Sequence, residues 1–321
     1  MFYSPTKATV GKVTAALVLV VSLAYGCQGS SAQPPTITIS GAFALYPMVV
    51  RWSEEYRALH PEVQFDIQAG GAGKGMSDVL AGAVDIGMVS REIRAEETGQ
   101  GAVGIAVAKD AVVATVNANN PVLEQLLAIG LTPEAGAGIW LTGDIATWGA
   151  LVGSGDTNAI HVFTRADSCG AAEVWAKYLG GEAQEDLLGT GVQGDSGVAE
   201  AVRQDPLGIG YNNLNFAYDS TTGQPIEGLL VIPLDLNGDG TISADEDFYA
   251  TREEVAEAIA EGRYPSPPSR ALFLVTKGKP SGVVADFIRW VLTDGQAFVE
   301  ETGYVRLTDA QLQEGLQLVG E

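Results

Sequence analysis

Residues 63–90, VQFDIQAGGAGKGMSDVLAGAVDIGMVS, decide the fold. VQFDIQ alternates apolar and polar residues as a half-buried strand does, a glycine-rich turn follows, MSDVLAGA has helical spacing, and VDIGMVS predicts another strand. On the amino-terminal side, the strand-like TITIS (36–40) and the helix-like MVVRWSEEYRALH (48–60) repeat this order. Strands that alternate with helices predict a mainly parallel sheet covered on both faces.

The rest of the chain extends this pattern and suggests where the domains divide. From about 101 to 218 the alternation continues and indicates a second α/β unit. The last third returns to a strand, RALFLVTKG, and a long amphipathic helix. We therefore expect a discontinuous domain 1 over 36–105 and 225–321 and a domain 2 over 106–224.

The amino terminus has the pattern of an export signal over residues 1–26, in which Lys7 and Lys12 precede the apolar run TAALVLVVSLA. The following AYGC resembles a bacterial lipobox, which predicts acylation of Cys27 and a lipid-anchored linker over 27–35. The protein would then be exported, to the periplasm or the outer face of the cytoplasmic membrane. An uncleaved amino-terminal anchor and a disulfide between Cys27 and Cys169 stay open as alternatives.

The composition excludes one class of partner. The 321 residues include 40 Asp and Glu against 18 Lys and Arg, for a formal net charge of −22. Nucleic acid is not expected as a partner, because its phosphate backbone is bound through a basic surface. A small anion is still possible, since a few buried amides and one arginine are enough to hold it. No redox or organic cofactor is expected.

Four strand-to-helix turns are placed where ligands bind in such folds: GAFALYP (41–47), AGGAGKG (69–75), VSRE (89–92) and TRADSCGAA (164–172). At the carboxyl ends of parallel strands, such turns present the free amides of helix starts. AGGAGKG is not a nucleotide-binding loop, because Gln68 stands where that motif needs glycine. The glycines would let the backbone approach a ligand, or would merely form a tight turn.

TRADSCGAA carries the most chemistry of the four turns. Arg165 offers a planar charged fork to an oxyanion, and Ser168 and the following amides would lie at a helix start. Asp167 would orient Arg165 or accept a proton from the ligand. Alternatively, Asp167 or Ser168 only caps the helix while Arg165 lies in solvent.

Two further residues have open roles. Ser90 would emerge at the edge of the sheet and donate its hydroxyl to an anion, whereas Arg91 is either a ligand contact or a surface ion-pair residue. Cys169 near a helix start has the position of a nucleophile. Neither His60 nor His161 is a persuasive base for it.

Residues 235–246, DLNGDGTISADE, have the spacing of an EF-hand calcium loop. A strand-like segment precedes the loop, so we expect an isolated structural Ca²⁺ site without a paired hand, and an acidic surface turn is the alternative. The predicted ligands are Asp235, Asn237, Asp239, Thr241 (through its carbonyl) and Glu246.

Taken together, ISGAFALYP, AGGAGKG, VDIGMVSRE and TRADSCGAA, with GIGYNN, YPSPPSRALFLV and GQAFVEETGYVRL downstream, resemble the PstS-type phosphate-binding proteins of ABC importers. The resemblance runs from about 36 to 307. It implies a type II periplasmic-binding-protein fold, in which two α/β domains with mixed, mostly parallel sheets enclose an anion cleft. It also implies a monomeric, non-enzymatic protein that captures inorganic phosphate and delivers it to a membrane permease.

The resemblance also implies which residues contact the anion: Ala44, Leu45, Ala72, Gly73, Ser90, Arg165, Asp167, Cys169, Gly170 and Ala171. Several of these stand where the family commonly offers a hydroxyl or an aromatic ring, so backbone amides would have to replace them. Other functions stay open: binding of sulfate, tungstate or molybdate, a secreted phosphatase or other hydrolase that uses Cys169 or Ser168, and a calcium-stabilised adhesion or scaffolding protein.

Overall fold

A computed structural model describes residues 1–2 and 34–320 of the chain. The strands of 34–320 are β1 Thr36–Gly41, β2 Gln64–Ala69, β3 Ile86–Val89, β4 Ala102–Asn117, β5 His161–Arg165, β6 Thr190–Val192, β7 Gly208–Asn213, β8 Leu229–Val231 and β9 Ser269–Lys277. The helices are α1 Tyr46–Leu59, α2 Ala72–Ala81, α3 Ala95–Gly99, α4 Leu123–Ile129, α5 Pro133–Trp140, α6 Trp148–Val152, α7 Gly170–Tyr178, α8 Gly194–Gln204, α9 Leu214–Ala217, α10 Arg252–Glu261, α11 Gly282–Leu292 and α12 Asp309–Val319.

The strands form a mixed sheet in the order β2-β1-β3-β9-β4-β7-β5-β6, with β8 beside β4. Pairing is parallel within the set β2, β1 and β3 and within the set β7, β5 and β6. It is antiparallel where β9 and β4 join the two sets. This arrangement confirms the predicted alternating α/β architecture, and the carboxyl ends of both parallel sets become places for ligand-binding turns.

Two large hydrophobic cores divide these residues into two lobes that share β4, and a small third cluster between α8 and β8 belongs to the second lobe. The first lobe (34–108 and 271–320) is built around β1, β3 and α11, and the second lobe (111–268) around β7, α7 and α10. Strand β4 supplies Ile105 to the first core and Val113 to the second, so it runs through both lobes. Strand β9 returns beside it, with a register shift between Ala106 and Ala108.

The packing of residues after 225 differs from the expected resumption of domain 1 there. Strand β8 pairs with the second-lobe half of β4, where Val231 lies opposite Thr115. Helix α10 also buries Val255 and Ile259 in the second core. The chain returns to the first lobe only at β9, because the strand β8 is completed by hydrogen bonds that β4 offers in the second lobe.

Helix α2 begins earlier than its sequence pattern suggested. Gly71, at φ +92°, is the residue before the helix, and Ala72 already lies in its first turn. Gly75 packs directly on Gly41 of β1, since a Cβ on Gly75 would lie 2.8 Å from the Cα of Gly41. Part of the glycine-rich turn is therefore required for close packing of the helix on the sheet, and this packing directs the helix start at the second lobe.

Candidate anion-binding site

The starts of α2 in the first lobe and α7 in the second lobe meet where the two lobes are in contact. The Gly73 amide donates a hydrogen bond to the Ser168 carbonyl oxygen at 3.2 Å. A Cβ on Gly71 would lie 2.6 Å from the same oxygen, and a Cβ on Gly170 would overlap the carbonyl of Ser90. The predicted turns 69–75, 89–92 and 164–172 therefore converge on one place, which the fourth turn, 41–47, also reaches through Phe43.

Arg165 ends β5 and is buried at this junction, with 1% of its side chain exposed. Its Nε donates to Asp167 Oδ1 at 2.8 Å and its Nη2 to Asp167 Oδ2 at 2.5 Å. The Gly194 amide also donates to Asp167 Oδ1, at 2.9 Å. Both oxygens of Asp167 thus accept hydrogen bonds from the protein, so this carboxylate orients Arg165, and Oδ2, which among the described residues accepts only from Arg165, keeps a second lone pair.

A second carboxylate, which the sequence analysis missed, also holds Arg165. Nη1 of Arg165 donates to Asp195 Oδ2 at 2.5 Å, and Asp195 is equally buried. Asp195 lies in the first turn of α8, after β6, a strand of three residues. It therefore follows the same strand-to-helix pattern as the predicted turns, but the strand is too short to be recognised by periodicity.

Phe43 is another contact that the sequence analysis did not identify. Its ring lies 5.3 Å from the guanidinium carbon of Arg165, in cation–π geometry, and it approaches Gly194 closely. Because Phe43 belongs to the first lobe and Arg165 to the second, this contact is made only when the lobes are together. It covers one face of the guanidinium and leaves its edge for polar partners.

The pKa values at Arg165 follow from these contacts. Burial alone would lower the pKa of the guanidinium, but the carboxylates of Asp195 and Asp167 raise it. Burial alone would raise the pKa of Asp167, but the hydrogen bonds and the charge of Arg165 hold it below its usual value. The arginine and Asp167 are consequently charged at neutral pH.

The predicted amide donors separate into two groups. Three already have acceptors in the protein: Leu45 donates to the Ala42 carbonyl at 3.2 Å, Gly73 to Ser168, and Cys169 to Gln184 Oε1 at 2.9 Å. The others have no hydrogen-bond acceptor among residues 34–320, and they are Ala44, Ala72, Gly170 and Ala171. Those of Ala72, Gly170 and Ala171 are the first N–H groups of α2 and α7, which are the donors that helix starts offer to anions.

Ser90 completes this set of donors. It is buried at the end of β3, and its hydroxyl has no hydrogen-bond partner within the described part of the chain. Its carbonyl is held by Arg270 Nε at 3.3 Å, where β9 begins. Arg270 also pairs with Asp110 of β4 at 3.5 Å, and burial raises the pKa of Asp110 to about 6. The strands that connect the lobes thus also fix the position of Ser90.

Arg91 does not point into this set of donors. Its guanidinium pairs with Glu97 at 2.6 Å and with Glu173 of the second lobe at 3.4 Å. Glu173 in turn accepts from Arg94 at 2.7 Å and from Lys177 at 3.0 Å. We call Arg91, Arg94, Glu97, Glu173 and Lys177 the Glu173 cluster. Arg91 is therefore an ion-pair residue, but a buried one that bridges the lobes.

Cys169 is a buried free thiol at the start of α7. Burial raises its pKa to about 12, and its Sγ accepts the Ala172 amide at 3.4 Å. His161 pairs with Asp205 at 2.6 Å, at the opposite end of β5. A thiolate is therefore absent at neutral pH and no base is positioned to form one.

The predicted calcium loop lies on the second lobe, where the Ile242 amide donates to the Ala128 carbonyl at 2.9 Å. Asp235 and Glu246 are buried, and they accept loop amides: Gly240 donates to Asp235 at 2.9 Å, and Leu236 to Glu246 at 2.8 Å. Across residues 34–320, no group of three or more His, Cys, Asp or Glu side chains lies close enough to hold a metal ion. The predicted ligands Asn237, Asp239 and Thr241 lie on the solvent-exposed side of the loop.

The export signal and Cys27 lie outside the described residues, so their predictions stay predictions. Among the helices that are described, none combines the length and the apolar composition that a membrane crossing requires.

Comparison with known proteins agrees with an anion-binding site between two lobes. Residues 27–295 match the family described as PBP superfamily domain. The phosphate-binding protein PstS of Bacillus subtilis is 26% identical over 302 residues, which cover 89% of this chain and 85% of that protein. PstS of Methanocaldococcus jannaschii is 25% identical over 386 residues, which cover 98% and 97%.

Solved structures share the fold. A Clostridium perfringens protein with bound phosphate, classed as a phosphate ABC transporter substrate-binding protein, has a TM-score of 0.68 at 23% identity, covering 85% of this chain and 100% of that one. An ABC-type phosphate transport receptor from Vibrio cholerae has a TM-score of 0.62 at 22% identity, with the same coverage of both chains. The two-lobed periplasmic-binding-protein fold expected from the sequence is thereby confirmed.

Proposed function

This chain belongs to the PBP superfamily, and we propose that it is the solute-binding protein of an ABC transporter, which captures inorganic phosphate and delivers it to a membrane permease. One observation carries the proposal: the unpaired amides at the starts of α2 and α7 and the Ser90 hydroxyl converge at the junction that holds the buried Arg165. Amides and a hydroxyl from opposite lobes suit an anion that is enclosed when the lobes close.

The choice of phosphate rests on two supports. The relatives named above are phosphate-binding proteins, and Ser90 offers a hydroxyl that can accept a hydrogen bond from a protonated ligand as well as donate one. Asp167 is held by Arg165 and Gly194, and its Oδ2, which accepts only one of these hydrogen bonds, keeps a lone pair for the same acceptor role. Sulfate, tungstate and molybdate lack a proton to donate at neutral pH.

Isothermal titration of the desalted protein tests the ligand. Phosphate is expected to bind at least about tenfold tighter than sulfate at about pH 7, a difference of about 1.4 kcal/mol. Tungstate is the second comparison, because it is also tetrahedral. Equal or reversed affinities would replace phosphate by the other oxyanion as the ligand, and absence of any heat with all three would remove the proposed function.

The rival function is hydrolysis with Cys169 as nucleophile. A thiol whose pKa is raised to about 12 by burial, and whose sulfur caps α7, is a poor nucleophile at neutral pH. We therefore expect no turnover of a generic phosphomonoester. Turnover that disappears in Cys169→Ala would favour the hydrolase instead.

We further propose that the protein is exported and anchored by lipid on Cys27, because an apolar run ends at AYGC. Expressed in a bacterium, the full chain should partition into detergent and carry acyl groups, and Cys27→Ser should abolish acylation. Cys169→Ser is the matched control and should leave acylation unchanged. Acyl groups that persist in Cys27→Ser would contradict the anchor.

We also propose that residues 235–246 bind Ca²⁺. The 12-residue consensus supports it, as do the buried carboxylates of Asp235 and Glu246. Ion binding would require Glu246 to exchange its amide contacts for the metal. A ligand that binds only the folded state at about 100 times its Kd adds about 2.7 kcal/mol, so Ca²⁺ should raise the melting temperature.

Glu246→Gln should remove most of that rise, because the last position of the loop supplies a bidentate carboxylate. Glu200→Gln, at an exposed site on α8, is the matched control and should keep it. Phosphate affinity should change little in either variant. A melting curve of EDTA-treated protein that added Ca²⁺ leaves unmoved would identify the loop as an acidic turn.

A further inference from the structure

Arg165 is held by more negative charge than its orientation requires. Arginine has five N–H donors, and Asp167 alone engages Nε and Nη2, which fixes the plane of the guanidinium. Asp195 adds a second full carboxylate on Nη1 at 2.5 Å. The side chains of Arg165 and Asp195 are each 1% exposed, so water screens little of their charge.

The position of Asp195 is fixed by the protein. Its Oδ1 accepts the Asn213 amide at 3.2 Å, and its own carbonyl accepts Asn212 Nδ2 at 2.9 Å. Both asparagines are buried at the end of β7. The carboxylate therefore cannot turn away when a ligand approaches.

The charges at the junction sum to one negative charge. Arg165 carries one positive charge, Asp167 and Asp195 carry two negative charges, and the nearest buried pair, Asp110 with Arg270, compensates itself. The ring of Phe43 contributes no charge on the remaining face. The groups left for a ligand are amides, a hydroxyl and the second N–H groups of Nη1 and Nη2, so each further negative charge on the ligand meets net repulsion.

We infer that Asp195 sets the charge class of the ligand: it makes the site favour singly charged tetrahedral oxyanions over doubly charged ones of the same shape. The inference rests on the proposed function. It gives phosphate a physical advantage over sulfate, because phosphate can take up a proton and enter with one charge, whereas sulfate stays doubly charged at neutral pH. Asp195 is thus a specificity residue that acts by its own charge, while its hydrogen bond to Arg165 holds that charge at the site.

The test compares perchlorate, a singly charged tetrahedral ion, with sulfate in the full-length protein and in Asp195→Asn. The ratio of sulfate to perchlorate affinity should rise at least about tenfold in Asp195→Asn. Misplacement of Arg165 alone would lower both affinities by a similar factor and leave the ratio unchanged. Glu200→Gln removes the same charge from the exposed face of α8 and should also leave it unchanged.

A second measurement needs no variant. Between about pH 6 and about pH 8 phosphate passes from mainly one charge to mainly two. Because the pKa of Asp110 is about 6, the charge beside the site also changes in this range, and sulfate measured at the same pH values corrects for that change. The ratio of phosphate to sulfate affinity of the wild-type protein should therefore fall at least about fivefold. An unchanged ratio in Asp195→Asn, or a phosphate affinity that rises with pH, would overturn the role of Asp195 alone. A wild-type protein that binds none of these anions would overturn the proposed function and this inference together.

Discussion

Arg165 and Arg91 occupy equivalent places in the two lobes, since each lies at the carboxyl end of a parallel strand where the lobes meet, and each is buried among acids. They differ in where those acids come from. Arg165 takes Asp167 and Asp195 from its own lobe. Arg91 takes Glu97 from its own lobe and Glu173 from the opposite one.

The difference gives the two arginines different functions. An arginine whose partners all move with it keeps its geometry when the lobes separate, which suits a ligand-binding group that must be ready before closure. An arginine whose partner lies across the junction loses a contact when the lobes separate, which suits a group that stabilises the closed form. The position at the sheet edge is shared, and the partners decide the role.

Of the variants that test this difference between the two arginines, Arg165→Ala is expected to have the largest effect on stability and on phosphate binding. Removal of the cation leaves Asp167 and Asp195 buried without a compensating positive charge, which should lower the free energy of unfolding by about 3–5 kcal/mol. Phosphate binding should also be lost. Urea unfolding and titration calorimetry measure the two effects.

Arg91→Ala is the matched control for that variant. Phosphate should still bind it, more weakly, because Arg91 stabilises the closed form without contacting the ligand. If Arg165→Ala bound phosphate normally, the anion site would be misplaced. If Arg91→Ala lost binding completely, Arg91 would be a ligand contact after all.

An effect of intermediate size is expected from pH, which tests the pairs Arg165–Asp167 and Arg91–Glu97 separately. Burial alone would raise the pKa of both Asp167 and Glu97, but Arg165 and Arg91 respectively hold each pKa below its usual value. A carboxylate with a lowered pKa adds stability above its unfolded pKa, about 4, and loses it as the pH falls through the folded pKa. Wild type should lose this stability in acid.

In Arg165→Ala and in Arg91→Ala, the stability that the carboxylate gains from its arginine is already missing at neutral pH. The deficit in unfolding free energy relative to wild type should therefore shrink between about pH 7 and about pH 3, and shrink more for Arg165→Ala than for Arg91→Ala. Urea unfolding at both pH values measures it. If the deficit in unfolding free energy were the same at about pH 3 as at about pH 7, the arginines would not be what lowers the pKa values of these carboxylates.

The smallest effect is expected from Glu173→Gln. It leaves Arg91 with Glu97 but removes the charge that joins the lobes, which should destabilise the closed form by about 1 kcal/mol and weaken phosphate binding roughly fivefold. Glu301→Gln, which breaks an exposed pair with Arg51 inside the first lobe, is the control. Equal affinities for both variants would mean that the Glu173 cluster does not contribute to closure.

Much of this arrangement follows from local sequence. The alternation of strand and helix periods predicted the α/β lobes, and the glycine-rich and Arg-x-Asp turns predicted three segments that do converge. Such signals are readable because a strand end and a helix start are both encoded within a few residues. The pairing of Arg165 with Asp167 could be predicted for the same reason, since the two residues are only two positions apart.

The rest depended on residues far apart in the chain. Asp195 lies 30 residues beyond Arg165, and Glu173 lies 79 residues beyond Arg94, so no local pattern links them. The pairing of β8 with β4 is likewise hidden from local sequence, because strand pairing at such separation leaves no periodic pattern.

By itself, the sequence determined which segments form strands and helices and which turns carry an arginine, an acid or a glycine, because these depend on neighbours along the chain. Only the tertiary structure decided that Arg165 forms salt bridges with two carboxylates and that Arg91 pairs with an acid of the opposite lobe. It also decided that the Cys169 amide donates to Gln184. The physical reason is that burial and charge compensation depend on what packs against a group, and that packing is set by crossings of the whole sheet.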